Sequence, residues 1–261
     1  ESAKLILKLK KVNSNYFRED FDWDLSNYIW IEKIYKKIDI GKKRQLIIEK
    51  LLINFKKKQS EYEGLRKNLI HNDLNDNNII VSENLKTPNI VGFIDFGDCI
   101  KSQLINELAV TCAYGIIDSM NPLESACEII KGFNSKIQIS EIEIEFLYEL
   151  ILLRISISIL KSSLNEKFVP SNKYLLVSKD DMLLVFDKWA DINQELATYF
   201  FRNACGFTGT PNEKKFKKLI GKKKSSINIL FNKNETNKLE NLDLSVSSKW
   251  LSSDLINDIS S

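Results

Sequence analysis

Apolar residues in this chain recur mostly at intervals of three and four, the spacing that gathers them on one face of a helix. Leu5, Ile6, Leu9 and Val12 mark such a face over residues 4–12, with Leu7 off the stripe. Residues 23–37 and 43–58 repeat the periodicity, and Leu104 to Ile117 is a more thoroughly apolar helix. Asn121-Pro122 joins a capping residue to a proline suited to a first turn, predicting a helix to about Asn134. Ser140-Glu141-Ile142-Glu143 has the form of a capping box and opens the longest helix, to about Leu164; Met182 to Cys205 supplies the last. The period shortens at one place. Residues 78–82 and 89–94 are brief, rich in β-branched side chains and separated by a polar turn containing Pro88, which predicts a β-hairpin.

The expected fold class is therefore α+β, mostly helical with one small hairpin. From Thr208 onward Gly209, Pro211 and charged residues replace the periodicity. We read residues 1–206 as one domain, 207–235 as a connector and 236–261 as the start of an incomplete following domain. Composition adds little: 43% hydrophobic and 28% charged residues describe an ordinary globular chain of 261 residues. A net charge of +3 gives no reason to expect a nucleic-acid partner, and the lysine runs at 42–44, 56–58 and 214–224 fit solvated faces. Cys99, Cys112, Cys127 and Cys205 are widely spaced, which suits free thiols in a reducing compartment such as the cytoplasm. No apolar run approaches the roughly 20 residues of a membrane span; 146–160 is broken by Glu149 and Arg154, so no membrane partner is expected.

Chemistry concentrates around the hairpin. His71-Asn72-Asp73-Leu74-Asn75-Asp76-Asn77-Asn78 precedes it and Ile94-Asp95-Phe96-Gly97 follows. An aspartate, an asparagine five residues later and an aspartate opening Asp-Phe-Gly are what phosphoryl transfer requires: one group to orient a hydroxyl and two oxygen ligands for magnesium. Asp73 is the expected catalytic base, and Asn78 and Asp95 the expected metal ligands. His71, the only histidine, is expected to brace the loop, and Gly97 to give the chain freedom to turn after the metal ligand.

These motifs resemble those of the aminoglycoside phosphotransferase and choline kinase superfamily, whose members share the protein-kinase-like fold. With Asn106-Glu107-Leu108-Ala109, Phe21-Asp22-Trp23-Asp24-Leu25, Tyr174-Leu175-Leu176-Val177-Ser178 and Phe201-Arg202-Asn203-Ala204-Cys205-Gly206, they are most similar to its hydroxylysine kinase branch. The resemblance implies a kinase-like C-lobe over residues 1–206, an ATP or GTP phosphate donor with Mg²⁺, and a small amino alcohol or amino acid as acceptor. Many members carry aspartate where Glu107 stands, which disfavours an aminoglycoside. An acceptor bearing ammonium and carboxylate groups would meet acids, for which Asp24, Asp98 and Glu107 are candidates, and a cation, for which Arg154 is the candidate, with a salt bridge rescuing its charge in an apolar helix as the equal alternative. A choline-like acceptor would instead want aromatics such as Trp23, Tyr28, Trp30 and Tyr114.

The family's nucleotide-anchoring N-lobe should precede the catalytic loop by well over a hundred residues, whereas 70 residues precede His71 here, without a Gly-x-Gly-x-x-Gly. The expectation is a fragment lacking that lobe, with negligible kinase activity by itself. Leu242 to Ser247 resembles a junction in bacterial fusion proteins, where such a module precedes a peptidase-like domain and a class III aminotransferase. Pyridoxal phosphate would then belong to a fused domain outside this chain, and a noncatalytic or regulatory role within such a fusion is the alternative to catalysis. Intact Asp73, Asn78 and Asp95 favour catalysis. A protein kinase is disfavoured because no activation segment fits between Gly97 and the next helix.

Overall fold

The computed structural model describes residues 1–12, 21–84, 86–168 and 179–209. The chain divides into two compact units, Glu1–Ile192 and Asn193–Ser261. The expected connector and following domain from residue 210 on, with Leu242 to Ser247, lie outside the described residues, as do Tyr174 to Ser178.

In the first unit the elements run α1 (Ser2–Leu9), α2 (Ile29–Ile34), α3 (Lys42–Lys57), α4 (Gln59–Glu63), β1 (Lys67–Ile70), β2 (Ile79–Val81), β3 (Ile90–Phe93), β4 (Ile100–Gln103), α5 (Leu104–Gly115), α6 (Pro122–Asn134), α7 (Glu141–Phe168) and α8 (Lys179–Ala190). The fold is α+β and mostly helical, as expected. The central helix is α7, whose face from Ile144 to Leu160 is almost continuously buried and packs against α5 and α8. Its capping box forms: Glu143 accepts from both the backbone N–H and the hydroxyl of Ser140 at 2.8 Å. Glu143 also pairs with Arg66 at 2.7 Å, which ties the helix start to the chain entering β1. Asn121 caps α6 through Glu124 N–H. An aromatic cluster fills the space between α3 and α7, with Phe55 packed edge-on against Tyr28, Tyr62 and Phe146 at centroid distances of 5.0, 4.9 and 6.0 Å.

Three local expectations change. Residues 23–37 form no single helix; two 3₁₀ turns flank the six-residue α2. Asp24 causes the first break, because its carboxylate accepts from Ser26 N–H at 3.0 Å and from Ser26 Oγ at 2.6 Å, giving the backbone a local turn in place of a helical ladder. Residues 182–205 form two helices, since Asn193 caps a new one, α9 (Gln194–Ala204), through Leu196 N–H at 2.9 Å. That helix belongs to the second unit, where Arg202 Nε donates to Thr208 O at 2.8 Å.

The third change is a second two-stranded sheet. Besides the β2–β3 hairpin, β1 pairs antiparallel with β4, placing Ile70 opposite Ile100 and Lys67 opposite Gln103. This pairing closes the two ends of the motif region together, since β1 feeds the loop at 71–78 and β4 leaves the Asp-Phe-Gly turn. Below it, Leu74 of the loop packs with Leu5 and Leu9 of α1, with Leu69 and Phe93 against the same cluster. The α1 stripe thus supports the loop directly, and off-stripe Leu7 is exposed.

Phe55 is fully buried and touches three rings, so Phe55→Ala is expected to cost about 3–5 kcal/mol. Urea unfolding of the variant should show a lower midpoint at an unchanged slope.

Candidate active site

Asp73 lies at the meeting point of the loop and α7. Its Oδ1 accepts from Arg154 Nη2 at 2.9 Å, and its Oδ2 accepts from Asn78 Nδ2 at 2.9 Å and Asn75 Nδ2 at 3.1 Å. A carboxylate oxygen offers about two acceptor sites, so Oδ2 is saturated while Oδ1 retains one for an incoming donor. The side chain is 22% exposed, which leaves that site reachable. Burial pushes the Asp73 carboxyl above its ordinary range; the Arg154 guanidinium opposes this, and Asp98 adds to it.

Arg154 is 1% exposed and held through its two terminal nitrogens, while its Nε is buried without a hydrogen-bond partner among the described residues. Nη1 donates to Trp23 O at 3.2 Å, and Nη2 donates also to Tyr114 Oη at 3.1 Å. The guanidinium stands 4.6 Å from the Trp23 ring centre and 5.3 Å from that of Tyr114. Arg154 thus forms the salt bridge expected as the alternative to a carboxylate contact. Its charge is spent on Asp73, and two aromatics considered for a choline cage already enclose a cation, Arg154 itself.

Asn78, buried under the start of β2, directs Nδ2 at both Asp73 O and Asp73 Oδ2, at 2.8 and 2.9 Å. Two acceptors on one side fix which end of the amide is nitrogen, so Oδ1 faces away from Asp73 as an acceptor. Across the hairpin's open end, Ile94 N–H donates to Asn78 O at 3.1 Å and Ile94 O accepts from His71 Nε2 at 2.9 Å. One residue, Ile94, thus joins the loop to the chain entering Asp95 through both its N–H and its C=O. His71 is fully buried, packs on Phe96 at 4.9 Å and braces the loop. Asp95 adopts a left-handed backbone, φ 57°, and its Oδ1 accepts from Gly97 N–H at 3.2 Å. The left-handed turn thus falls on Asp95 and not on Gly97, whose expected turning freedom is not used; a Cβ at 97 would stand 3.1 Å from that oxygen, and this close approach is what suits glycine there.

The donors present fit Mg²⁺: one amide oxygen from Asn78 and one carboxylate from Asp95, hard ligands for a cation that completes its shell with phosphate and water oxygens. Among the described residues no three His, Cys, Asp or Glu side chains are grouped to hold a metal unaided.

The remaining candidates lie elsewhere in the arrangement. Glu107, on α5, is fully buried beneath the loop and accepts from Asn72 N–H at 2.9 Å; Asn72 itself is left-handed, φ 66°. Burial lifts the Glu107 carboxyl to about 7, against the loop amides of Asn72 and His71 and the charge of Arg154, which pull it down. Asp24 holds Ser26 and also accepts from Ser102 Oγ of β4 at 2.8 Å, so it anchors the segment before α2. Asp98 is half-buried in the turn after Asp95. Sequence reading missed Asn75, Tyr114 and the carbonyl of Trp23 as parts of the Asp73 and Arg154 network; the Asn75-x-Asn77 turn pattern was the available signal.

Residues 6–128 match the sequence profile described as "Phosphotransferase enzyme family". Among curated proteins, the chain is similar to one named hydroxylysine kinase from Mus musculus, 30% identical over 63% of this chain and 46% of the relative. Proteins of the same name from Bos taurus and Xenopus laevis are 27% and 31% identical, over 68% and 62% of this chain and 50% and 45% of the relatives. The chain spans about half the length of the curated relatives it matches.

Glu107 gives a pH signature. Its folded value of about 7 stands above the ordinary 4.5, so its favourable contribution is full below about pH 4.5 and is lost as pH rises through about 7. Glu107→Gln keeps an acceptor for Asn72 N–H and removes the titration. Urea unfolding at pH 5 and pH 8 should show the wild type losing more stability across that interval than the variant; equal losses would refute the assignment.

Proposed function

We propose that this chain carries the catalytic loop of a small-molecule kinase. It would transfer the γ-phosphate of ATP or GTP, with Mg²⁺, to the hydroxyl of a small amino compound of the hydroxylysine type. The observation that carries the reading is the three-way hold on Asp73: a buried guanidinium on one oxygen, two amides on the other, and one acceptor site left free. The matched profile supports phosphoryl transfer, and the names of the relatives support the acceptor class.

In this reading the acceptor hydroxyl donates to the open site on Asp73 Oδ1, which aims the oxygen at the phosphorus. As the new O–P bond forms and the bond to the nucleoside diphosphate breaks, the hydroxyl proton passes to Asp73. Arg154 keeps Asp73 ionised beforehand and fixes its rotamer. Asn78 and Asp95 would hold Mg²⁺, which supplies neutralisation of charge on the phosphate oxygens. Asn78 therefore serves both functions, with its nitrogen on the base and its oxygen on the metal. His71 and Glu107 maintain the loop through Ile94 O and Asn72 N–H.

The test is nucleoside diphosphate release by the full-length protein from ATP and GTP, across hydroxylysine, choline, homoserine and an aminoglycoside. Asp73→Asn is expected to lower kcat by about 10²- to 10⁴-fold on the accepted substrate. Arg154→Met removes the charge that holds the Asp73 carboxyl down, so the acid limb of the kcat profile should move to higher pH. Absence of turnover on every acceptor, together with absence of magnesium-nucleotide binding, would overturn the reading.

A further inference from the structure

With Arg154 committed to Asp73, the carboxylate of an amino-acid acceptor needs a different cation. Seven residues further along α7, on the same helical face and about 10 Å along its axis, stands Lys161. Its ammonium pairs with the Asp22 carboxylate and lies 4.9 Å from the centre of the Trp30 ring, while Trp30 Nε1 donates to Asp22 O at 2.9 Å. The arrangement around Arg154 is thus repeated one heptad on: Trp23 to Trp30 on one segment, Arg154 to Lys161 on the other. Between the two cations Ser158 Oγ meets Tyr114 Oη at 3.4 Å. The pairs differ in access. Arg154 is 1% exposed, whereas Lys161 and Asp22 are 22% and 42% exposed.

We propose that the Asp22–Lys161 pair, with Trp30 beside it, is the subsite for the α-amino-acid end of the acceptor. The proposal rests on the kinase reading above. A zwitterionic end brings an ammonium and a carboxylate side by side. Lys161 would donate to the carboxylate and Asp22 would accept from the ammonium, forming an alternating quartet without net charge. In an amino acid hydroxylated near the far end of its chain, hydroxyl and carboxylate are separated by about 6–7 Å of extended carbon chain. With a hydrogen bond at each end, that length is of the same order as the roughly 10 Å of helix between Arg154 and Lys161. The subsite selects for a carboxylate; an amino alcohol without one forfeits the contact to Lys161.

The experiment compares kcat/KM of the full-length protein for hydroxylysine and for its decarboxylated analogue, in wild type, Lys161→Met and Lys161→Arg, with thermal melts checking that each variant folds. The expected result is a preference for hydroxylysine that falls tenfold or more in Lys161→Met, through KM, and is recovered largely in Lys161→Arg. An unchanged preference in Lys161→Met would overturn the subsite and leave the kinase standing, including the case where both acceptors weaken equally because the pair only tethers the segment to α7. No turnover by wild type on either acceptor would overturn the kinase reading and the subsite with it.

Discussion

A guanidinium buried in the middle of an apolar helix is the constraint that organises this structure. A charge with 1% exposure is tolerated only when paired and hydrogen-bonded, and α7 offers Arg154 no partner of its own. The partners come from three places far apart in sequence: the carbonyl of Trp23, the carboxylate of Asp73 and the hydroxyl of Tyr114. Pairing one buried cation therefore fixes the segment before α2, the loop at 71–78 and α5 against the same helix. Stability and chemistry share this requirement, because the group that makes burial of Arg154 tolerable is the proposed base.

A second buried ionisable group works from the opposite side. Glu107 takes the amide of Asn72, a residue held left-handed, and so stabilises a backbone turn that a non-glycine residue adopts reluctantly. Asp95, also left-handed, closes its own turn with Gly97 N–H. Both strained positions flank side chains whose direction matters. The local cost is met by contacts that over-determine the geometry: Glu107 below, the Ile94 peptide beside, and the Leu5, Leu9 and Leu74 cluster beneath.

What was legible in the sequence follows from how local each determinant is. The hairpin, the capping box at Ser140 and the capped start of α6 are written in adjacent residues, and the structure has them. Asp73, Asn78 and Asp95 stood out because two carboxylates and an amide fall at fixed offsets around a hairpin, and the structure brings Asn78 onto Asp73. The β1–β4 pairing was not, since Lys67-Asn68 and Lys101-Ser102-Gln103 carry neither alternation nor β-branching, and the pairing is set by closure of the motif region. The break in 23–37 was hidden because its apolar spacing is helical, while the carboxylate of Asp24 competes locally for the backbone. Arg154 was visible as an anomaly in an apolar stretch, but its partners are 81 and 131 residues away. Only the fold could tell whether that cation serves substrate or protein.

That distinction bears on how such a site acquires specificity. A cation locked to the base cannot also discriminate among acceptors without disturbing the chemistry each time it does so. In the proposed reading, discrimination placed one heptad along the same helix would separate the two tasks while keeping them on one rigid element. Substitution at the outer pair would then change which molecule is held, and the inner pair would continue to determine how its hydroxyl is presented. The graded exposure of the two cations on α7, buried at Arg154 and more open at Lys161, is the observation that supports such a separation.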